Sequence, residues 1–292
     1  MKILTHSGSF HQDELFAVAT LQLLFGEGEI IRTRDPKEFA AADFVVDVGS
    51  VYDPDKKRFD HHQQGGAGVR QNGIPYASFG LVWKRYGAEA CAGDPQVADV
   101  VDKKMVQPID AADTGVPLYD VKIRGVSPYL FDNVLNALTP SRPEDGSVDE
   151  AFRNLLPFAR HILQKEIDKA RQFFEDIDVV KRVYHDTADK RIIVFDRPYA
   201  WRSVLARNKE PVYVIFPGTA SGKPDEWIIS CVPIQPQDKR LRKKFPDRWG
   251  GLSGEALERA TGIKGAEFVH SNRFVAKANS REAAEAMAKA AL

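Results

Sequence analysis

Three short strand-like runs in the first 62 residues each break on a histidine or an aspartate, and that recurrence limits the folds open to the chain. Lys2-Ile3-Leu4-Thr5 runs into His6, Phe44-Val45-Val46 into Asp47, and Arg58-Phe59 into Asp60-His61-His62. A run as short and uniformly apolar as 44–46 suits a strand buried on both faces, as parallel sheets bury them. In open parallel sheets ligands bind outside the carboxyl ends of the strands. Three strand ends would then bring imidazole and carboxylate to one edge.

The rest of the pattern extends this reading. Residues 13–25 read as a helix, apolar at Leu15, Val18, Ala19, Leu21 and Leu24 and closed by Gly26. Strands are expected at 2–5, 29–33, 44–48 and 58–61, and helices at 36–42, 78–86 and 95–112, an open, doubly wound, mainly parallel α/β domain. A long helix over 149–178, with Pro157 expected to kink it, reads as a bridge. Beyond it strands are expected at 179–184, 191–196, 211–216, 227–233 and 267–276. Helices are expected at 253–261 and 281–291, the last capped by Ser280. The division is thus 1–148, a bridge over 149–178, and a smaller α+β domain over 179–292; 292 residues are too many for one typical core.

Composition narrows the function classes. Lys and Arg total 41 against 41 Asp and Glu, a balance that disfavours sequence-independent coating of DNA. The two cysteines, Cys91 and Cys231, form no CxxC pair, which argues against a disulfide framework or a cysteine zinc site. No apolar run has the length of a membrane span, and the opening residues lack the features of a secretory leader, so the expected location is the cytosol.

The chemistry-bearing residues form two groups. In the first motif His6, His11 and Asp13 can face one point because Gly8 lets the loop fold back. Asp47 stands alone. Asp60, His61 and His62 can converge only where their strand has ended, since adjacent strand residues point to opposite faces. Asp110 and Asp113 share one face at the end of a helix, where carboxylates oppose the dipole and a divalent cation would compensate. So many imidazoles and carboxylates exceed one metal's shell. The expectation is two divalent metals, Mn first, with Mg, Fe or Zn open, bridged by Asp47. His62 is expected to face substrate. In the second group a basic run over 238–248 leads into Gly250-Gly251 ahead of a helix. Arg248, Gly250, Gly251, His270 and Arg273 are the expected substrate-binding residues, with Trp249 as a base-stacking platform.

These residues resemble the DHH phosphoesterase superfamily, whose members share an aspartate-histidine first motif, a lone Asp, an Asp-His-His triplet and a later Asp. The first motif departs from that pattern by one extra residue, with His11 where an aspartate is usual. That variant, together with 59–63, the run from Gly73 to Lys84, Asp110-Ala-Ala-Asp113 and Gly250-Gly251-Leu252-Ser253-Gly254, resembles the MYG family (UPF0160) over essentially the whole chain. The resemblance implies a DHH domain followed by a DHH-associated substrate-binding domain. It further implies a Mn-dependent 3′–5′ exonuclease in which His6, His11, Asp13, Asp47, His61 and Asp110 or Asp113 hold metal and His62 contacts phosphate. The expected partner is a single-stranded oligonucleotide or other phosphoester, and a homodimer is one open arrangement. The alternatives are a small-phosphate hydrolase, acting on pyrophosphate or a cyclic dinucleotide, and a metal-dependent binding protein without turnover.

Overall fold

The computed structural model describes residues 1–141, 147–218 and 225–292, and the chain divides into two compact units, Met1–Arg171 and Gln172–Leu292. The strands of the first unit are β1 (Lys2–Thr5), β2 (Glu29–Arg32), β3 (Phe44–Val46), β4 (Tyr52–Asp53) and β5 (Arg58–Phe59). They form one sheet in the order β2-β1-β3-β5-β4. The first four are parallel, and β4 pairs antiparallel with β5. Leu4 lies opposite Val45, and Val46 opposite Phe59. Two residues beyond Leu4, and one beyond Val46 and Phe59, the same register brings His6, Asp47 and Asp60 into a row across three neighbouring strands.

The helices of this unit are α1 (Gln12–Phe25), α2 (Ser78–Ala90), α3 (Pro95–Val101), α4 (Gln107–Asp113), α5 (Phe131–Leu138) and the first part of α6 (Ser147–Asp186). Every residue of α1 from Gln12 to Gln22 is buried, so this helix has no wet face and is held by packing on all sides. All three residues of β3 are buried as well. Burying one Leu or Phe side chain is worth roughly 1.5–3 kcal/mol, so helix and strand together anchor the core under the row of site residues. The single helix expected over 95–112 is two, joined by a π-helical turn at Asp102–Val106. Pro108 has no N–H to offer a regular turn, and the widened turn precedes it.

The second unit carries β6 (Ile192–Val194), β7 (Tyr213–Pro217), β8 (Trp227–Cys231), β9 (Ala266–Val269) and β10 (Val275–Ala278), with α7 (Arg202–Leu205), α8 (Gly254–Thr261) and α9 (Arg281–Ala290). The sheet order is β6-β7-β8-β10-β9; β6 and β7 are parallel and the other pairs antiparallel. Both sheets are therefore mixed. The Ser280 hydroxyl caps α9 by accepting from Ala283 N.

Two expectations are corrected here. Residues 179–184 are not a strand but the last turns of α6, which continues unbroken through Pro157. Val180, Val183 and Tyr184 fall at helical spacing and pack into the cluster of Ile193, Phe195 and Trp201. Burial of that stripe overrides the β preference of the valines. The strand expected over 267–276 is the hairpin β9–β10, turned at 270–274, where Arg273 takes a φ of 61° and its N–H donates to the His270 carbonyl at 2.7 Å. Among the described residues no helix is long and apolar enough to cross a membrane.

Candidate metal centre

At the end of β3 the chain must leave the sheet, and it does so through Asp47, whose φ is 56°. A left-handed backbone costs most L residues about 1–2 kcal/mol, and aspartate tolerates it better than most. The turn holds the Asp47 carboxylate, 4% exposed, among three imidazoles. Oδ2 lies 3.4 Å from His6 Nε2, and Oδ1 lies 3.4 Å from His61 Nδ1 and 3.5 Å from His62 Nδ1. The Ser78 hydroxyl donates to the same Oδ1 at 3.0 Å. Burial pushes Asp47 up, but His6, His61 and His62 outweigh it and hold the carboxyl below the usual range.

The same Nε2 of His6 also lies 2.9 Å from Glu14 Oε1, while Nδ1, on the ring's other edge, meets the Ser7 carbonyl and Arg34 Nη2. Burial alone would lower the His6 pKa; the bonds to Asp47 and Glu14 reverse that and raise it to about 10. Glu14 is fully buried in the first turn of α1, and both its oxygens accept from His11 N. Asp13, also fully buried, accepts from Ser78 N and Phe79 N and so closes the N-terminus of α2. Burial, then the charges of Asp47, Asp113 and Asp110, push Asp13 well above the ordinary range.

The triplet divides its work. Asp60 accepts from Ser50 N and from His62 N and Nδ1, the last at 2.7 Å. His61 lies between Asp47 and Asp113, with Nε2 3.1 Å from Asp113 Oδ2. His62, largely exposed, stacks on His61 at 4.2 Å between ring centroids. Asp113 thus faces the centre. Asp110, 0% exposed, instead accepts from Arg70 Nη1 and Gly80 N.

Taken together, one ligand atom from each member of three sets lies within 4.8 Å of the others: Asp47, Asp60, His61 and His62; His6, His11 and Glu14; and Asp13, His61 and Asp113. Members of all three sets, though not the buried Asp13 and Glu14, line a cavity of about 390 Å³ together with Ser9, Arg34 and Ser50. Asp13 and Glu14 pushed up by burial and by neighbouring carboxylates, beside His6 pushed up by Asp47 and Glu14, mark a buried surplus of negative charge. A divalent cation bound by N and O ligands would offset that charge, so the donor set fits a metal.

Three contributors were not singled out in the sequence. Glu14 was open to a purely structural reading, since an acidic residue in a first turn suits the helix dipole; its place beside Asp13 was the available signal. Ser78 lies inside the run from Gly73 to Lys84 with nothing to set it apart there, and Arg34 carries no motif.

The basic group of the second unit differs more from expectation. Trp249 is fully buried in the core against Phe245, which removes it as a stacking platform. The N–H groups of Gly250 and Gly251 donate to the Asp247 and Val269 carbonyls and are not offered to an anion. Arg273 bonds Asp247 and the Phe245 carbonyl, and His270 Nδ1 accepts from Asn272 N. Arg240 pairs with Asp238, while Arg242 donates to the Pro211 and Ala206 carbonyls. Much of this basic run holds the unit's own loops together. Arg248 is exposed.

A family model described as an uncharacterised protein family, UPF0160, matches residues 2–292. The chain is 31% identical to the MYG1 exonuclease of Bos taurus, over 100% of its own length and 84% of that protein. It is 30% identical to the MYG1 exonuclease of Homo sapiens, over 100% and 85%. With the MYG1 protein of Chlamydia trachomatis the identity is 33%, over 96% of this chain and 93% of the other. Among solved structures, the pGpG-specific phosphodiesterase PggH from Vibrio aligns over 99% of this chain and 96% of its own, at 15% identity and a TM-score of 0.35.

Proposed function

The chain belongs to the UPF0160 family, and from that premise we propose that it is a metal-dependent phosphodiesterase, a 3′–5′ exonuclease on short single-stranded RNA or DNA. One observation carries the reading. His6, Asp47 and Asp60 stand in a row at the ends of three adjacent parallel strands and border one cavity. The MYG1 exonucleases of two mammals are similar over the whole chain. Strand direction, single-strand preference and a DHH-type organisation of the two units follow the resemblance carried by the motifs.

His6, His11, Asp13, Glu14, Asp47, His61 and Asp113 would hold the metal, a donor set large enough for two ions. Bound divalent cations would supply Lewis-acid polarisation of a phosphoryl oxygen and an acidified water. The protein's own part is orientation. Asp60 accepts from Nδ1 of His62, which leaves Nε2 of an exposed ring beside the cavity as the free nitrogen, placed to take up a proton and pass it to a departing oxygen. Ser78 and the first turn of α2 fix Asp47 and Asp13.

The test is turnover of a 5′-labelled short RNA by chelator-stripped protein, with Mn, Mg or Zn added back. The expected result is no shortening without metal and stepwise shortening from the 3′ end with Mn. Hydrolysis of pyrophosphate or a cyclic dinucleotide alone would replace the exonuclease with a small-phosphate hydrolase. Glu14→Gln should keep the bond to His11 N yet remove the charge beside His6. We expect divalent-metal affinity to fall about 10–100-fold, as when a close partner of a metal ligand is lost. Calorimetric titration with Mn measures this, and unchanged affinity would take Glu14 out of the centre.

A further inference from the structure

A second cavity in the first unit is larger than the polar one and of different character. About 700 Å³ of mostly apolar space lies against α1, α4, α5 and the segment 115–119. Two of its wall residues are chain neighbours of proposed ligands. Gln12 stands between His11 and Asp13, and Ala112 directly precedes Asp113. The same two segments therefore present metal-type ligands to one cavity and apolar surface to the other.

Its lining has a particular chemistry. Phe16 and Phe131 lie 5.4 Å apart between ring centroids, and Leu118 and Ile162 add aliphatic walls. The amide side chain of Gln12, a residue only 7% exposed, supplies one group that can both donate and accept. Leu118 is itself 52% exposed, an apolar surface that a bound ligand would cover. Phe16 is buried behind Phe131, and the partly exposed Phe131 and half-exposed Tyr119 present aromatic surface beside the Gln12 amide, the combination a heterocyclic base requires: a face to stack on and an edge to hydrogen-bond. The volume lies within the range of small-molecule sites. A lipid chain would use the walls and leave the amide unused.

We propose that this cavity is a nucleobase subsite, which takes the base of the nucleotide whose phosphate faces the metal centre. The inference rests on the phosphodiesterase reading for its link to catalysis but not for binding itself. It makes base stacking, not backbone charge, the first determinant of which end of a strand is held.

Two measurements test it. In saturation-transfer NMR on the metal-free full chain, adenosine at millimolar concentration should show transfer to its base protons, whereas ribose should show none. Ile162→Trp, which fills the space, should abolish the transfer, and Phe131→Ala should weaken it, with thermal melting showing that each variant is folded. Absence of transfer in the unmodified protein, or equal transfer in folded Ile162→Trp, overturns the proposal. The second measurement compares kcat/KM for a short RNA with that for the same strand bearing an abasic 3′-terminal residue. The unmodified protein should prefer the intact end by at least roughly 5-fold, the low end of what one stacked base contributes. Ile162→Trp should bring that ratio near one. A ratio of one in the unmodified protein removes the subsite while leaving the phosphodiesterase standing. Adenosine binding without turnover of any phosphodiester does the reverse.

Discussion

Asp47→Asn should cost about 10³-fold in metal-dependent turnover, some 4 kcal/mol of transition-state stabilisation, while leaving the fold intact. The substitution is chosen for the backbone as much as for the charge. Asp47 has a φ of 56°, and asparagine tolerates left-handed geometry as aspartate does, so the turn out of β3 survives. The amide oxygen can still accept from the Ser78 hydroxyl, which now lies 3.0 Å from Oδ1. What disappears is the negative charge that three imidazoles surround, and with it the carboxylate at the middle of the donor cluster. Metal content and kcat of the purified variant, beside circular dichroism and melting temperature, check the expectation. Activity within about 3-fold of the unmodified protein at saturating Mn, with an unchanged melt, would show that Asp47 does not hold the metal. Asp47→Ala is the poorer experiment, since it adds a backbone penalty to the loss of charge.

The site was legible in the sequence where a strand ended on a ligand-type residue, because strand ends and strand adjacency are local matters. Short strand-like runs gave β1, β3 and the two-residue β5, and the row of His6, Asp47 and Asp60 followed from their pairing. Long-range choices were not legible. Nothing in the spacing of Asp110 and Asp113 says that the first meets Arg70, 40 residues away in sequence, while the second meets His61. Nor does a basic run announce that its cations bond carbonyls of its own unit, as Arg242 and Arg273 do. Charged residues in loops look alike until tertiary contacts assign their partners. The error at 179–184 is of the same kind: valine favours strands locally, and only packing against Ile193 and Trp201 makes a helical stripe the better use of Val180 and Val183.

The Arg70–Asp110 pair carries the second large effect, on stability. Loop 62–76 follows the Asp-His-His triplet, and Arg70 pins it. Its guanidinium reaches Asp110 through Nη1 and Asp102 through Nη2, and lies over the Tyr76 ring at 4.1 Å. The side chains of Arg70 and Asp110 are 7% and 0% exposed. Glycine at position 80 is part of the arrangement, since a Cβ there would stand 2.7 Å from Arg70 Nη2. Burial pushes Asp110 up to about 7, against the opposing pull of Arg70 and Gly80 N.

Arg70→Met removes the cation and leaves the carboxylate buried, a loss of about 3–5 kcal/mol. For a unit of this size that corresponds to a fall in melting temperature on the order of 10 °C. The pH dependence has a definite sign. Without Arg70 the folded-state pKa of Asp110 rises further above its unfolded value, so the folded variant binds a proton that the unfolded chain releases. Stability is then lost as pH rises from the unfolded toward the folded pKa. The deficit relative to the unmodified protein should therefore be larger at pH 8 than at pH 5. Melting curves of both proteins at the two pH values decide it. An equal deficit at both would mean that the lost packing on Tyr76, not the stranded charge, accounts for the loss. Because Asp113 lies one helical turn beyond Asp110, a loosened α4 should also weaken Mn binding, which ties the stability of this pair to occupancy of the centre.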